Sequence, residues 1–374
     1  NFKDEIQILI KKFDNKNFQE VINESLIILK KIDNDFLWNL VGLSFQNLNQ
    51  HNKSLDCFEN AIRINSKNFS AFNNLGISFK KLRKYKEAES SLLKSIEINP
   101  EYINALVNIG NIKNETYFFE DAISYYKKAI KLNSKLPLIY LNLANAYQTI
   151  NEIEKAKSYL NEAIAIDETF TIADQKLSLL EKYDEKNSHF KKMINKLNTK
   201  ELNISQKKYL YFGISKAYKD IKNLKNSIKY LKLGNKLQRQ SLSYDIDFHK
   251  SLSKKIKLIF SKMNFKDYEN SSEGKNQIFI LGMPRSGTTL VEKIISSHSK
   301  VSTISESNFI PDKIFKYINN DTENLMNFIQ TNFQDEYYEF LKLYNINNQI
   351  IIDKTLLNFW YLGFIKIFFP NSKI

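Results

Sequence analysis

The sequence predicts two architectures in one chain of 374 residues. These are an N-terminal solenoid of paired helices and a following α/β domain with a parallel sheet. Two observations support this division. Large and small residues recur with a 34-residue period over residues 35–170, which is typical of stacked helical repeats. From Gln277 onward, short apolar runs alternate with amphipathic segments, which is typical of βα units.

The repeat is defined by positions that recur across four units without a gap. Each first helix carries a large residue and, four positions later, a small one, where two helices must approach closely. Each second helix carries a small residue, a large one and another small one. These series are Trp38, Phe72, Leu106, Tyr140; Gly42, Gly76, Gly110, Ala144; Ser54, Ala88, Ala122, Ala156; Phe58, Leu92, Tyr126, Leu160; and Ala61, Ser95, Ala129, Ala163.

This pattern resembles the tetratricopeptide repeat. The resemblance implies an α-solenoid whose concave face binds a peptide or protein; support of the following domain and self-association are the alternatives. Residues 1–34 fit a degenerate first unit, residues 171–204 lose the second-helix markers, and residues 208–241 carry a further unit. The predicted domains are the helical array at 1–263, including an amphipathic helix at 245–263, a polar linker at 264–276, and the second domain at 277–374.

Composition and charge limit the function classes. The net charge of +14 favours attraction of an anionic donor or substrate, although no base-reading motif supports nucleic-acid binding. No apolar run is long enough for a membrane helix, and no signal peptide is visible. Cys57 is the single cysteine, which favours a cytoplasmic location. The four histidines show no metal-ligand spacing.

The most informative stretch opens the second domain. The apolar run Ile278–Leu281 predicts a buried strand, and Gly282, Pro284 and Gly287 then mark a turn. A helix is predicted from Thr288 to Ser297. Its apolar residues on one face are Leu290, Val291, Ile294 and Ile295. A strand, a glycine-flanked loop and a helix N-terminus form the geometry that binds phosphate-like anions.

The loop nearly matches the nucleotide-binding pattern G-x-x-x-x-G-K-[ST]. Gly282 and Gly287 occupy the glycine positions, but Thr288 stands where that pattern has lysine. Arg285, one of only four arginines, lies inside the loop. Its guanidinium, the loop hydroxyls and the backbone N–H groups can hold one tetrahedral oxyanion. A P-loop NTPase or kinase, and a turn without any ligand, are the alternatives at this point.

The segment from Pro284 to Thr289 resembles the 5′-phosphosulfate loop of sulfotransferases that use adenosine 3′-phosphate 5′-phosphosulfate (PAPS). It is most similar to that of tyrosylprotein sulfotransferases and of bacterial sulfotransferases with tetratricopeptide repeats. The resemblance implies a PAPS-dependent sulfotransferase that needs no metal. The donor-binding residues it implies are Arg285, Ser286, Gly287, Thr288 and Thr289.

Two further residues follow from the same resemblance. Glu306, after the short predicted strand Lys300–Ile304, stands at the family spacing of the catalytic base. Lys354, after the predicted strand Gln349–Ile352, stands where the family lysine contacts the transferring group. Arg285 joins these two as a predicted catalytic residue. The family proline is replaced by Leu356, which departs from the pattern of the local turn.

Asp353 has a rival interpretation, because an aspartate after an apolar strand also fits a metal-binding aspartate of an NTPase; dependence on magnesium would separate the two. Helices are expected at Phe309–Asn319, Asn324–Tyr344 and Leu356–Phe368. Ser372–Ile374 begins a strand, so residues 277–374 are expected to be the N-terminal part of a larger domain, with the residues for the donor's 3′-phosphate beyond it.

The sequence therefore predicts transfer of a sulfuryl group from PAPS to an acceptor hydroxyl. A protein tyrosine is the favoured acceptor, and a glycan or small-molecule hydroxyl remains open. The alternatives are a P-loop NTPase or kinase carried by repeats and a non-catalytic tetratricopeptide scaffold.

Overall fold

The computed structural model describes residues 2–242, 245–261, 263–268, 272–318, 333–342, 344 and 349–374. Contacts divide the chain into two compact units, Asn1–Leu242 and Ser243–Ile374. The first unit is helical and the second is built on a small parallel sheet, so the predicted fold class is confirmed. In the part of the chain that is described, no helix has the length and apolar character needed to cross a bilayer.

The first unit is a run of helices in which each packs on the next, except that α11 packs mainly on α10 and α13 rather than on α12. Its helices α1 to α14 are Phe2–Asp14, Phe18–Leu29, Asp35–Asn47, His51–Ile64, Phe69–Lys81, Tyr85–Ile98, Ile103–Glu115, Phe119–Leu132, Pro137–Thr149, Ile153–Ile166, Thr171–Leu180, Ser188–Thr199, Ile204–Asp220 and Leu224–Gln240. The short helices α11 and α12 coincide with the segment that loses the repeat pattern.

The small residue of each first helix permits the close approach that the repeat pattern predicts. A Cβ atom added to Gly42 would lie 2.5 Å from the ring of Phe58 on the paired helix. Phe58 is itself completely buried. In the fourth unit Ala144 takes this position, and Leu160 replaces the ring. The fourth repeat thus accommodates one more methyl group at this position, opposite a side chain smaller than Phe58.

The turn inside each repeat has a recurring feature that the sequence did not indicate. Asn49, Arg83, Tyr117 and Asn151 adopt positive φ angles of 58°, 59°, 67° and 64°. They follow one another at the 34-residue period of the array. Two of them are bulky residues, for which this backbone region is unfavourable. Asn49 and Asn151 adopt this region readily, whereas local preference does not explain it at Arg83 and Tyr117.

A buried polar network holds the irregular helices α11 and α12 together. Lys196 Nζ lies 2.9 Å from both carboxylate oxygens of Asp174, and Asp174 is fully buried. His189 Nε2 lies 3.0 Å from Asp174 Oδ1, and its Nδ1 lies 2.7 Å from the hydroxyl of Tyr183. Ionic and hydrogen-bonded contacts thus join α11, α12 and the segment between them.

The second unit contains a three-stranded parallel sheet. Its strands are β1 (Gln277–Phe279), β2 (Val301–Thr303) and β3 (Ile350–Asp353), and their order is β1-β3-β2. Ile278 pairs with Ile352 and Ser302 with Ile351. The helices in the described part of this unit are α15 (Ile246–Phe260), α16 (Thr288–Ser296), α17 (Phe309–Ile318), α18 (Phe333–Leu341) and α19 (Leu362–Phe368).

One predicted helix differs from the structure, and another lies only partly within the described residues. The predicted helix Leu356–Phe368 is a 3-10 helix, Leu356–Tyr361, followed by α19. Within the predicted helix Asn324–Tyr344, residues 324–332 lie outside the described residues, and the rest contains α18.

Helix α15, assigned from the sequence to the end of the array, belongs by its contacts to the second unit. The ring of Phe260 packs edge-on against Phe364 of α19, with ring centroids 4.9 Å apart. The predicted linker also joins this unit at its end. The N–H of Asn371 donates to the carbonyl of Glu273, and that of Gln277 donates to Gly274. The boundary between the two units therefore falls at residues 242 and 243.

Candidate active site

The strand order reverses the direction of the chain connections between β1 and β3. The chain leaves β1 and passes beyond β3 to form β2. After β3 it returns to the other side of β1, where Lys373 forms a parallel bridge with Ile278. The connections from β1 and β3 therefore run in opposite directions. In open α/β folds, ligands bind outside the carboxyl ends of two strands at such a point.

The loop after β1 lies at the carboxyl edge of the sheet. The N–H of Ile280 donates to the carbonyl of Asp353 across 2.9 Å, which joins the start of the loop to the end of β3. Arg285 has a φ of 71°, and Gly287, the residue before α16, has a φ of 91°. The N–H of Ser286 donates to the carbonyl of Met283. A tight turn thus leads directly into the N-terminus of a helix, where free N–H groups favour anions.

Lys354 and Glu306 form an ion pair at the same edge. Lys354 Nζ lies 2.8 Å from Glu306 Oε1. The lysine side chain is 5% exposed, whereas that of Glu306 is 50% exposed. The N–H of Lys354 also donates to the carbonyl of Ser305, which has a φ of 51°. The two segments that carry the predicted base and the second cation are therefore joined by backbone and side-chain contacts.

A second carboxylate, Glu292 of α16, was missed by the sequence reasoning. It is 2% exposed, and its Oε2 lies 3.5 Å from Lys354 Nζ. The hydroxyl of Thr303 on β2 donates to Glu292 Oε1 across 2.6 Å. The available signal was the spacing of Thr288 and Glu292, which places two polar residues on one face of a helix.

The orientation of α16 follows from these contacts. Its buried residues are Thr288 and Glu292. Leu290 and Ile294, two residues of its apolar face, are 66% and 63% exposed. The polar side of this helix therefore faces the sheet, because a buried carboxylate is satisfied there by a hydroxyl and an ammonium.

Asp353, at the end of β3, is hydrogen-bonded to the segment that carries Glu306. It is 1% exposed and accepts hydrogen bonds from the hydroxyls of Ser307, Thr355 and Tyr337 at 3.1, 2.7 and 3.3 Å. Burial raises the pKa of this carboxyl to about 6, although the donated hydrogen bonds partly offset that effect. A carboxylate enclosed in this way holds the loop and β3 together. Its surroundings do not resemble an open metal-binding aspartate.

The structure brings Glu306 and Lys354 into contact and adds Glu292 to them. Of the predicted donor-binding residues, Arg285, Ser286, Gly287 and Thr289 are exposed on the loop and the first turn of α16, and Thr288 is buried. Among the described residues, no group of three or more His, Cys, Asp or Glu side chains is arranged to hold a metal ion.

Comparison with known families matches both units. Residues 277–374 match the model of the sulfotransferase family. The tetratricopeptide repeat model matches residues 37–68, 69–102, 103–136, 138–170 and 209–241. The chain therefore combines tetratricopeptide repeats with a sulfotransferase-family domain.

A curated protein from Aquifex aeolicus (strain VF5), described as uncharacterized, is 28% identical over 177 residues. The match covers 44% of this chain and 23% of that protein, so the chain spans about a quarter of the relative's length. Among solved structures, the C-terminal part of a TPR repeat-containing protein from Cytophaga hutchinsonii is 16% identical, with a TM-score of 0.47, over 63% of this chain and 96% of that one. PilF of Pseudomonas aeruginosa is 16% identical, with a TM-score of 0.43, over 65% and 92%.

Proposed function

We propose that this chain, with its sulfotransferase-family domain at residues 277–374, acts in sulfuryl transfer from PAPS to an acceptor hydroxyl. The family match supports the reaction class. The anion-binding geometry of the loop supports a donor with a phosphosulfate group. A protein tyrosine is the acceptor that we favour, because the tetratricopeptide array is of a type that binds polypeptides.

The observation that carries the proposal is the ion pair of Lys354 and Glu306 at the carboxyl edge of the sheet. A half-exposed carboxylate can meet an acceptor from solvent, while a buried ammonium beside it supplies fixed positive charge. Sulfuryl transfer needs a base for the acceptor and positive charge for the leaving oxygen. Both are present within 2.8 Å of each other.

In the proposed reaction, Glu306 takes the proton of the acceptor hydroxyl through its carboxylate. The acceptor oxygen forms a new bond to sulfur, and the bond between sulfur and the bridging phosphate oxygen breaks. The electron pair of that bond stays on the 5′-phosphate, giving adenosine 3′,5′-bisphosphate. Lys354 and Arg285 stabilise the charge that accumulates on the leaving phosphate.

Ser286, Gly287, Thr288 and Thr289 are the proposed cradle of the donor's 5′-phosphosulfate group. They stand at the turn before α16 and in its first residues, where backbone N–H groups and the helix dipole favour an anion. Hydroxyl donors complete the set without the lysine that nucleotide-binding loops use.

Replacement of the proposed base tests the assignment. In the full-length protein, Glu306→Gln should lower kcat for transfer from PAPS by about 100-fold or more, the usual loss when a general base is removed. The matched control is Glu339→Gln, which changes an exposed carboxylate on α18 and should leave transfer unchanged. Near-normal transfer by Glu306→Gln would refute its role.

The array is proposed to bind the acceptor polypeptide. Asparagine side chains link the first helices of successive repeats: Asn74 donates to Asn39, Asn108 to Asn73 and Asn142 to Asn111, at 2.9 to 3.1 Å. Amide groups in such a row can also pair with the backbone of an extended peptide. Asn108→Ala with Asn142→Ala should weaken acceptor binding by about tenfold, measured by titration calorimetry. Unchanged affinity would place the acceptor elsewhere.

The rival functions give different outcomes in the same assays. A P-loop NTPase or kinase would hydrolyse or use ATP, and EDTA would abolish its activity by removing magnesium. A non-catalytic scaffold would bind neither PAPS nor adenosine 3′,5′-bisphosphate. Transfer from PAPS that persists in EDTA is the result expected for the proposed function.

A further inference from the structure

We propose that Glu292 is a positioning residue that acts through Lys354, as the fixed counter-charge of its ammonium. This inference rests on the proposed function. Lys354 lies between two carboxylates of different character. Glu306, at 2.8 Å, is half-exposed, whereas Glu292, at 3.5 Å, has a side chain only 3% exposed.

The surroundings of Glu292 fix its orientation. Its Oε1 accepts the hydrogen bond of the Thr303 hydroxyl at 2.6 Å, which leaves Oε2 facing Lys354. The Thr303 oxygen also accepts a hydrogen bond from the N–H of Ser305, next to Glu306. One hydroxyl therefore links α16, the end of β2 and the segment of the proposed base.

The reaction requires a carboxylate at this position. When Glu306 takes the acceptor's proton it becomes neutral, and its attraction for Lys354 falls. The lysine side chain is 5% exposed, and a buried ammonium without a counter-charge is strongly unfavourable. Glu292 supplies that charge throughout the cycle, because Thr303 holds its Oε1 and its Oε2 faces Lys354.

Glu292 also leaves Glu306 free to act as a base. If Lys354 had only Glu306 as an anionic partner, the whole attraction of its ammonium would act on the proposed base. Sharing the ammonium between two carboxylates weakens its hold on the exposed one. The two glutamates therefore have separate tasks, one holding the lysine and the other reacting.

A double-mutant cycle in the full-length protein tests this division. Glu292→Gln should lower kcat for transfer from PAPS by about 10- to 100-fold and change the KM for PAPS by less than about threefold. Glu292→Asp, which keeps the charge, should recover part of the loss. In a Lys354→Met background, Glu292→Gln should change kcat by less than about twofold, because the group it acts through is gone. Lys293→Gln, an exposed change on the same helix, is the control.

A second readout does not depend on activity. The rate at which an amine-directed acylating reagent labels Lys354, followed by peptide mass spectrometry, should change at least about fivefold in Glu292→Gln but not in Lys293→Gln. If the wild type transfers sulfuryl groups and the two mutations are additive in kcat, the inference is overturned while the proposed function stands. If the wild type does not transfer, the proposed function fails, and labelling decides whether Glu292 holds Lys354. If Glu292→Gln leaves the labelling rate of Lys354 unchanged, the proposed role of Glu292 as its counter-charge is overturned.

Discussion

The hydroxyl of Tyr337 on α18 donates to the carboxylate of Asp353 at the end of β3, and both side chains are at most 1% exposed. Burial raises the pKa of the Tyr337 hydroxyl well above 10, so it acts as a donor at all ordinary pH values. Asp353 also ties down Ser307, next to the proposed base. The geometry of the site is therefore linked to one enclosed carboxyl.

The stability of the second unit should depend on the protonation of Asp353. Its folded pKa of about 6 exceeds the unfolded value of about 4, so the folded state binds the proton more tightly. This group therefore stabilises the fold fully below pH 4, and the contribution is lost as pH rises through 6. Between pH 7 and pH 5 it should add about 1 kcal/mol to the free energy of unfolding.

Urea unfolding at the two pH values measures this contribution. A Trp38→Phe background leaves Trp360, in the second unit, as the only tryptophan. Asp353→Asn should remove the pH-dependent difference, and comparison with the parent cancels other titrating groups. An equal difference in both proteins would contradict the assignment to Asp353.

Arg285 should contribute charge and geometry separately. Arg285→Ala should lower kcat by about 100-fold, because positive charge at the leaving phosphate is lost. Arg285→Lys keeps the charge without the planar guanidinium, so its kcat should lie between those of the wild type and Arg285→Ala. Arg239→Ala, on α14, is the matched control for loss of an arginine. Affinity for adenosine 3′,5′-bisphosphate, measured by calorimetry, should follow the same order; equal affinities would remove Arg285 from the cradle.

Gly42 should not tolerate a methyl group while Phe58 faces it. Alanine gains about 1 kcal/mol in helix propensity over glycine, but a contact of 2.5 Å with a buried ring forces overpacking that costs more. We expect Gly42→Ala to destabilise the array by about 1–2 kcal/mol in urea unfolding.

The fourth repeat supplies the control for this prediction, since it pairs Ala144 with Leu160. The double variant Gly42→Ala with Phe58→Leu should be no less stable than Phe58→Leu alone. If the two substitutions lower the free energy of unfolding additively, the close approach of Phe58 is not the reason for a glycine at position 42.

The network of Asp174 should be essential to the irregular part of the array. Asp174→Asn leaves the buried ammonium of Lys196 without its counter-charge, which should cost about 3 kcal/mol in the free energy of unfolding. The exposed pair of Lys200 and Glu168 is the comparison, and Glu168→Gln should leave stability unchanged. Equal effects of the two substitutions would mean that burial does not matter here.

The sequence could predict the secondary-structure elements but not which face of helix α16 packs against the sheet. The repeats follow from a periodic pattern, and the glycine-flanked loop follows from local residue types. The sequence of α16 has an apolar face and a polar face, and apolar faces are the ones that usually pack against a sheet. Burial of Glu292 depends on Lys354, which lies 62 residues further along the chain. Lys354 comes close to Glu292 because β3 lies between β1 and β2 in the sheet. A local sequence pattern does not contain this strand order.

The contact between the proposed site residues also depends on the sheet and not on local sequence. Glu306 and Lys354 were chosen from motif spacing, and their contact depends on β2 and β3 being neighbours. Nothing in the residues 304–308 alone distinguishes a reactive carboxylate from an ordinary loop carboxylate. The left-handed turn residues of the repeats were missed for a related reason, since bulky residues such as Tyr117 do not signal this backbone.

The central place of β3 also sets an order of events during synthesis. Among the described residues, β2 pairs with β3, and β1 pairs with β3 and forms a bridge with Lys373. The central strand β3 is made about 50 residues after β2. Helical repeats rest on contacts between neighbours and can fold as they leave the ribosome, whereas this sheet must wait for its last-made strand to insert. A ribosome stalled before residue 350 would therefore carry a folded array and a second unit whose sheet is not yet assembled.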